Sequence, residues 1–392
     1  MNITNIPKNT RILVIGSALA AISLIALGQQ RTEAPIPAAS TSARQMTQAA
    51  IAFLASLDET QRDGIMYEFT PENRTNWSNT PPYVHRRPGL RIAELTNTQR
   101  QAAHGLLRAS MSSQGYQKIT GIMRLDSVHG ARSLAELDRV GPAEDDRPYV
   151  REEAESFGAG SYVMAIFGDP DGDADWSWLI QGHHMGANFT VSDGRTGFTP
   201  LFLGATPLVL EQGIYAGWSA MSHEVTRGFE LMQALDPSQH AAAIQEGAPP
   251  NDVLAGVGYK DNIARSQGLQ ASEMSAEQQR LLRVLVEEYV RNSDFDAAEA
   301  QLTAISEAGW ENLWFAWRGQ AEDPAGPLFY RVQGERILIE LTQRPNHIHT
   351  IVRDPANDYG ERWLDQVLTE EYSAGDRFDA AVLVYEAGGE ER

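Results

Sequence analysis

Four of the nine histidines of this 392-residue chain fall in two short segments. His183 and His184 are adjacent in "WLIQGHHMGANF", and His347 and His349 alternate in "PNHIHTIVRDPANDYG". Side chains alternate across a strand, so in "HIHTIVRDP" His347, His349 and Ile351 share one face, and Ile348, Thr350 and Val352 share the other. Two imidazoles two residues apart can converge on one ion. A third from a neighbouring strand completes a three-histidine site with a position left open for water or substrate.

"GHH" can supply that third ligand. Trp176 to Val191 reads as one buried strand, in which His183 and His184 point to opposite faces, so one of them is expected to join the site. Periodicity leaves both open. His183 shares its face with Leu179, Met185 and Phe189, and His184 with Trp176, Trp178, Ile180 and Asn188. Gly182 permits a bulge that re-aims either ring. A carboxylate should stand near, to orient an imidazole through its second nitrogen or to act as general base. The candidates are Glu224, at the start of a helix, Glu340, Asp354 and Asp358. Arg353 is the candidate for holding an anionic substrate group.

Other chemistry fares worse. The chain has no cysteine, which excludes disulfides, thiolate metal sites and cysteine nucleophiles. "DPDGDADW" begins like a calcium loop, but from Asp171 its sixth and twelfth positions are Trp176 and Gly182 rather than Gly and Glu. "GWSAM" around Ser219 lacks the closing glycine of a nucleophile elbow. The net charge of −20 repels phosphate backbones, so nucleic acid is not an expected partner. The expected partner is a small-molecule or peptide substrate.

The elements that must position these residues read as a single α+β domain, an antiparallel sheet with packed helices. Residues 1–28 carry a basic start (Lys8, Arg11) and an apolar run (Ile12 to Leu27), the pattern of a secretory signal. Left uncleaved, the run would be a membrane anchor. Either way the domain is expected in the periplasm or secreted. Residues 29–42 read as a disordered leader and 43–392 as the domain. Helices are expected at Met46 to Leu57, Leu95 to Met111, Ser222 to Leu235 (with Ser222 as N-cap), Ser275 to Val290 (with a Ser275/Gln278 capping box) and Phe295 to Ala308. "TPENRTNWSNTPPYVHRRPG" reads as an extended surface loop. "GSYVMAIFGDP" and Trp176 onward read as a hairpin, and so does "GPLFYRVQGERILIELTQ". Trp310, Trp314 and Trp317 stand at near-helical spacing and are expected to pack.

"FGDP…WSWLIQGHHMGANFT", "TPLFLGATP", "LFYRVQGERILIEL" and "HIHTIVRDPANDYG" occur in this order. The set resembles the family called domain of unknown function 3500, over nearly the whole chain from about residue 45. The resemblance implies that His183, His184, His347, His349, Asp354, Asp358, Tyr359 and Gly360 form one constellation, but names no activity. Such sequences are expected to read "EGHH", where this chain has Gln181, and to carry a histidine after "NDYG", where Asp365 or Glu370 would have to substitute. The resulting expectation is an extracytoplasmic enzyme using a divalent metal. Zinc with ester or amide hydrolysis comes first, a copper oxidoreductase second, and a non-catalytic metal- or ligand-binding protein third.

Overall fold

A computed structural model describes residues 41–81, 85, 87–140, 151, 154–260, 266–366, 368 and 369. The segment read as a signal lies outside them. The first helix, Thr41–Ser56, starts within the last two residues of the expected leader, and the Ser42 N–H donates to Asp296 Oδ2 at 2.9 Å. Among the described residues no helix is long and apolar enough to cross a membrane.

The strands are β1 (Met66–Tyr67), β2 (Leu90–Arg91), β3 (Val163–Phe167), β4 (Trp176–Gly182), β5 (Met185–Ser192), β6 (Arg195–Gly197), β7 (Leu201–Ala205), β8 (Leu269–Gln270), β9 (Trp314–Gly319), β10 (Leu328–Gln333), β11 (Leu338–Arg344) and β12 (His347–Arg353). They form one sheet in the order β1-β3-β4-β5-β7-β12-β11-β10-β9-β8, with β2 on β3 and β6 on β5. All pairs are antiparallel except β1 with β3. The fold is α+β.

The two faces of the sheet are built differently. One carries Met164, Trp178, Phe189, Leu203, Ile339 and Ile348 and is packed with helix residues such as Met46, Phe53, Leu106, Ile122 and Leu285. The other holds a smaller apolar cluster, with Leu179, Phe202, Leu338 and Ile351 beneath Trp77, Val253, Ala255 and Tyr359 from connecting segments. Between those apolar residues it buries Arg331, Glu340, His349 and Arg353. The alternation expected in "HIHTIVRDP" is therefore present, with Ile348 and Val352 in the larger cluster and Ile351 in the smaller.

The capping box expected at Ser275 and Gln278 starts the helix Ala276–Val290, and a second one, Thr96 with Gln99, starts Asn97–Ser110. Phe295–Ala308 has the expected bounds. Four expectations need correction. The helix near Glu224 spans Ser222–Gln233 with Met221, not Ser222, as N-cap. Trp314 and Trp317 lie in β9, where alternation across a pleat places Trp317 in the core; they are not helical. The first part of the expected surface loop is instead structured and partly buried. Pro71 at the first helical position and the Thr70 cap start a short helix, Pro71–Thr75, after which Trp77 and Ser78 are buried. Trp77 fits there because Gly186 faces it: a Cβ at 186 would stand 2.1 Å from the indole.

The fourth correction concerns the histidines. Trp176 to Val191 is not one strand. It reverses at His183–His184, a two-residue hairpin turn closed by the Gly182–Met185 pair, with His184 in the left-handed region at φ 64°. A histidine there costs on the order of 1 kcal/mol in backbone strain. The neighbouring turn, Pro345–Asn346 between β11 and β12, has the same form, with Asn346 at φ 56°. Both turns lie at the end of the sheet where β7 stops.

Candidate metal centre

His184, His347 and His349 meet at that end. β12 starts at His347, and its register places His349 opposite Gly204 of β7. β7 pairs in turn with β5 at Met185, one residue after His184. The Gly204 N–H donates to the His184 carbonyl at 2.8 Å, and the His184 N–H donates to Asn79 O at 2.9 Å. Gly204 is a glycine because the rings need its space. An added Cβ would lie 2.7 Å from Ile348 O, 2.8 Å from His349 Cδ2 and 3.2 Å from His184 Cδ2.

The ring nitrogens converge. His184 Nε2 and His349 Nε2 each lie 2.8 Å from His347 Nε2. His349 Nδ1–H donates to Asp252 Oδ1 at 2.8 Å, which fixes the tautomer and leaves the Nε2 lone pair facing the centre. His184 and His349 are buried and His347 is half-buried, so the triangle is open on the His347 side. Arg344 Nη2 lies 3.1 Å from His347 Nδ1. As an obligate donor, it leaves His347 Nε2 as the place for a proton in the neutral ring.

Burial holds the His184 pKa well below its usual value, and the surrounding His183, His347, His349 and His129 add to the effect. His184 is thus neutral at neutral pH, the form that binds metal. Loss of hydration would raise the Asp252 pKa, but its side chain is 53 % exposed, and His349 with the Val253 N–H (2.6 Å) lowers it overall, so Asp252 stays ionised.

His183 turns to the opposite neighbour. Its Nδ1 donates to Asp126 Oδ1 at 2.6 Å, and Asp126 Oδ2 accepts the Gly158 N–H, also at 2.6 Å. Tyr162 donates its hydroxyl to the His183 carbonyl at 2.6 Å. Gly182 leaves room for that tyrosine, since a Cβ there would lie 2.5 Å from its ring. The His183 and His184 ring centroids are 3.8 Å apart. Among the described residues, two groups can therefore hold a metal ion: His184 with His347 and His349, and Asp126 with His183 and His184.

The other candidates stand elsewhere. Glu224 ion-pairs with Lys118 at 2.7 Å, and Lys118 also meets Glu288 at 2.6 Å, all beneath the helices. Arg353 is fully buried. It donates to Asp358 Oδ2 at 2.8 Å and to the Ala255 and Gly256 carbonyls at 2.7 and 2.9 Å. Asp358 also accepts the Asp354 N–H at 2.9 Å, and Asp354 pairs with Arg336. Glu340 pairs with Arg331. The Tyr359 hydroxyl accepts the Trp77 Nε1–H at 2.7 Å. These groups buckle "RDPANDYG" onto the sheet, and none joins either ligand group. Asp365 caps the short helix Glu361–Leu364 and is also outside both groups, while Glu370 lies outside the described residues.

Asp126 and Asp252 were not among the sequence-derived candidates. Asp126 lies in a 28-residue helix, Ser113–Val140, for which no element was expected from the sequence. Its signal is present: Ile119, Ile122, Met123 and Asp126 follow i, i+3, i+4, i+7, so a carboxylate occupies a core position of an apolar stripe. Asp252, in an irregular segment after two prolines, carries no such signal.

A family model described as "Protein of unknown function (DUF3500)" matches residues 39–361, and the chain belongs to that family. No curated protein and no solved structure matches it.

Proposed function

We propose that this member of the family is a metal-dependent enzyme acting outside the cytoplasm, most simply a zinc-dependent hydrolase of an ester or amide in a small molecule or peptide. The observation that carries the reading is the convergence of three Nε2 atoms with one carboxylate behind them. In the neutral rings the one proton on His347 Nε2 must serve the lone pairs of both His184 Nε2 and His349 Nε2, whereas a divalent cation that displaced it would serve all three nitrogens. His184, His347 and His349 would hold it. Asp252 orients His349 and supplies negative charge, and the half-buried side at His347 leaves room for substrate. Bound there, the ion would supply a water of lowered pKa and polarise a carbonyl oxygen. The net charge of −20 supports a partner other than nucleic acid. The basic-then-apolar N-terminus supports the location.

One feature of the geometry favours a copper oxidoreductase as the second reading. Two nitrogens 2.8 Å apart, each ~2.05 Å from a common ion, subtend about 86°. That is nearer a tetragonal than a tetrahedral arrangement. Elemental analysis of untagged protein tests both readings, with the His347→Ala/His349→Ala double variant as control. Near-stoichiometric zinc or copper that vanishes in the variant is expected and selects the chemistry. No metal in the untagged protein, even after reconstitution, would overturn the reading.

A further inference from the structure

Beside His184 stand two donors that meet no carboxylate among the described residues. Ser78, Asn79 and Thr80 form the centre of this wall. The Asn79 carbonyl accepts the His184 N–H, which ties this segment to the histidine turn. Ser78 is gripped on both sides. Its N–H donates to Gln181 Oε1 at 3.0 Å, and its carbonyl accepts from Arg87 Nε and Nη2 at 3.1 and 3.0 Å. Arg87 also donates to the Thr80 carbonyl.

These contacts leave specific atoms over. With Oε1 fixed as the acceptor, the Gln181 amide must present Nε2 as a donor. Gln181 is fully buried, and its Nε2 has no acceptor among the described residues. A buried donor in that condition costs about 1–3 kcal/mol relative to a paired one. Arg87 uses Nε and Nη2 on neutral carbonyls, and among the described residues no carboxylate ion-pairs with it. Asp126, the carboxylate whose field reaches it, is already held by His183 and the Gly158 N–H. Burial lowers the Arg87 pKa to about 10, which leaves it cationic at neutral pH. In a chain of net charge −20, a half-buried guanidinium with no carboxylate partner among the described residues, beside a buried amide N–H with no acceptor among them, is the composition of an anion site.

We propose that Arg87 and Gln181, on either side of Ser78, bind an oxyanion group of the substrate, a carboxylate or a phosphate, beside the His184–His347–His349 triangle. As an assignment of substrate class this rests on the metal-enzyme reading. The anion site itself does not. Arg87 takes the place for which Arg353 was the sequence candidate. Gln181 gives the residue type at this position a function, because a glutamate could accept the same Ser78 N–H but would present a negative oxygen where the amide presents a donor.

The test is calorimetric titration of the full-length protein, after chelation of metal, with inorganic phosphate and with acetate. Acetamide serves as the neutral control, and ionic strength is held constant with chloride. Saturable binding of one or both anions, and none of acetamide, is expected; which anion binds more tightly assigns phosphate or carboxylate. Gln181→Glu, which preserves shape and the Ser78 contact, should weaken that binding by at least about tenfold. Arg87→Gln should do the same, and Arg87→Lys should retain part of it. A parent-like near-UV circular dichroism spectrum and denaturant midpoint in each metal-free variant check that it has folded. Absence of saturable anion binding in the parent protein would overturn the proposal, as would unchanged binding in a folded Gln181→Glu variant. Because the protein is metal-free, loss of the metal reading and loss of this one are separate results.

Discussion

The same sheet face holds two buried polar regions of opposite character. Around Arg353, every charge is answered within the protein: the guanidinium has Asp358 and two carbonyls, and Asp354 has Arg336. Around His349, one proton on His347 Nε2 faces two acceptors, the Nε2 atoms of His184 and His349, each 2.8 Å away. A closed network of that kind holds a fold together, because removing one member strands the other. An open one is stabilised only by something added from outside. Both draw on the segment from His347 to Gly360, and the proposed reading gives the first a structural role and the second a binding one.

The comparison breaks most forcibly at the closed network. Arg353→Met removes the guanidinium from buried Asp358, and should cost about 3–5 kcal/mol in denaturant unfolding while the folded fraction keeps its metal content. Loss of metal without loss of stability would place Arg353 in the wrong region. Gly204→Ala acts on the open region by crowding Ile348 O and the two rings, and should cost about 1–3 kcal/mol and weaken metal binding together. Unchanged metal affinity there would show that the ring positions are not critical. Asp252→Asn removes the charge behind His349 and should weaken metal binding roughly 10- to 100-fold with little change in stability, by competition titration with a chelator.

The smallest effect is in pH. Burial keeps His184 neutral in the folded state, whereas in the unfolded chain it takes up a proton near the usual value of 6.5. Its folded pKa is the lower one, so the unfolded state binds more protons as pH falls. The metal-free protein should therefore be most stable above 6.5 and lose stability as pH drops below it. His184→Gln should flatten that part of the profile, and an unchanged slope would assign it to other groups.

Much of this was legible in the sequence because it is periodic. Alternation placed His347 and His349 together on one face, and capping boxes located helix starts at Ser275 and, in the structure, Thr96. The "GHH" turn was not legible as a turn, because its left-handed residue is a histidine rather than the usual glycine or asparagine. Asp252 and Arg87 come from irregular segments that are brought to the site by hydrogen bonds rather than by any repeat. Glu224 and Asp358 were candidates by position, one at a helix start and one just after the His-X-His strand. Only their partners, Lys118 and Arg353, reveal them as halves of ion pairs.

X-ray absorption at the edge of the bound metal tests the central claim most directly, comparing the parent protein with His349→Ala. A first shell with three imidazole nitrogens at ~2.0–2.1 Å is expected in the parent, and fewer in the variant. A shell of oxygen atoms alone, or one unchanged by His349→Ala, would contradict it.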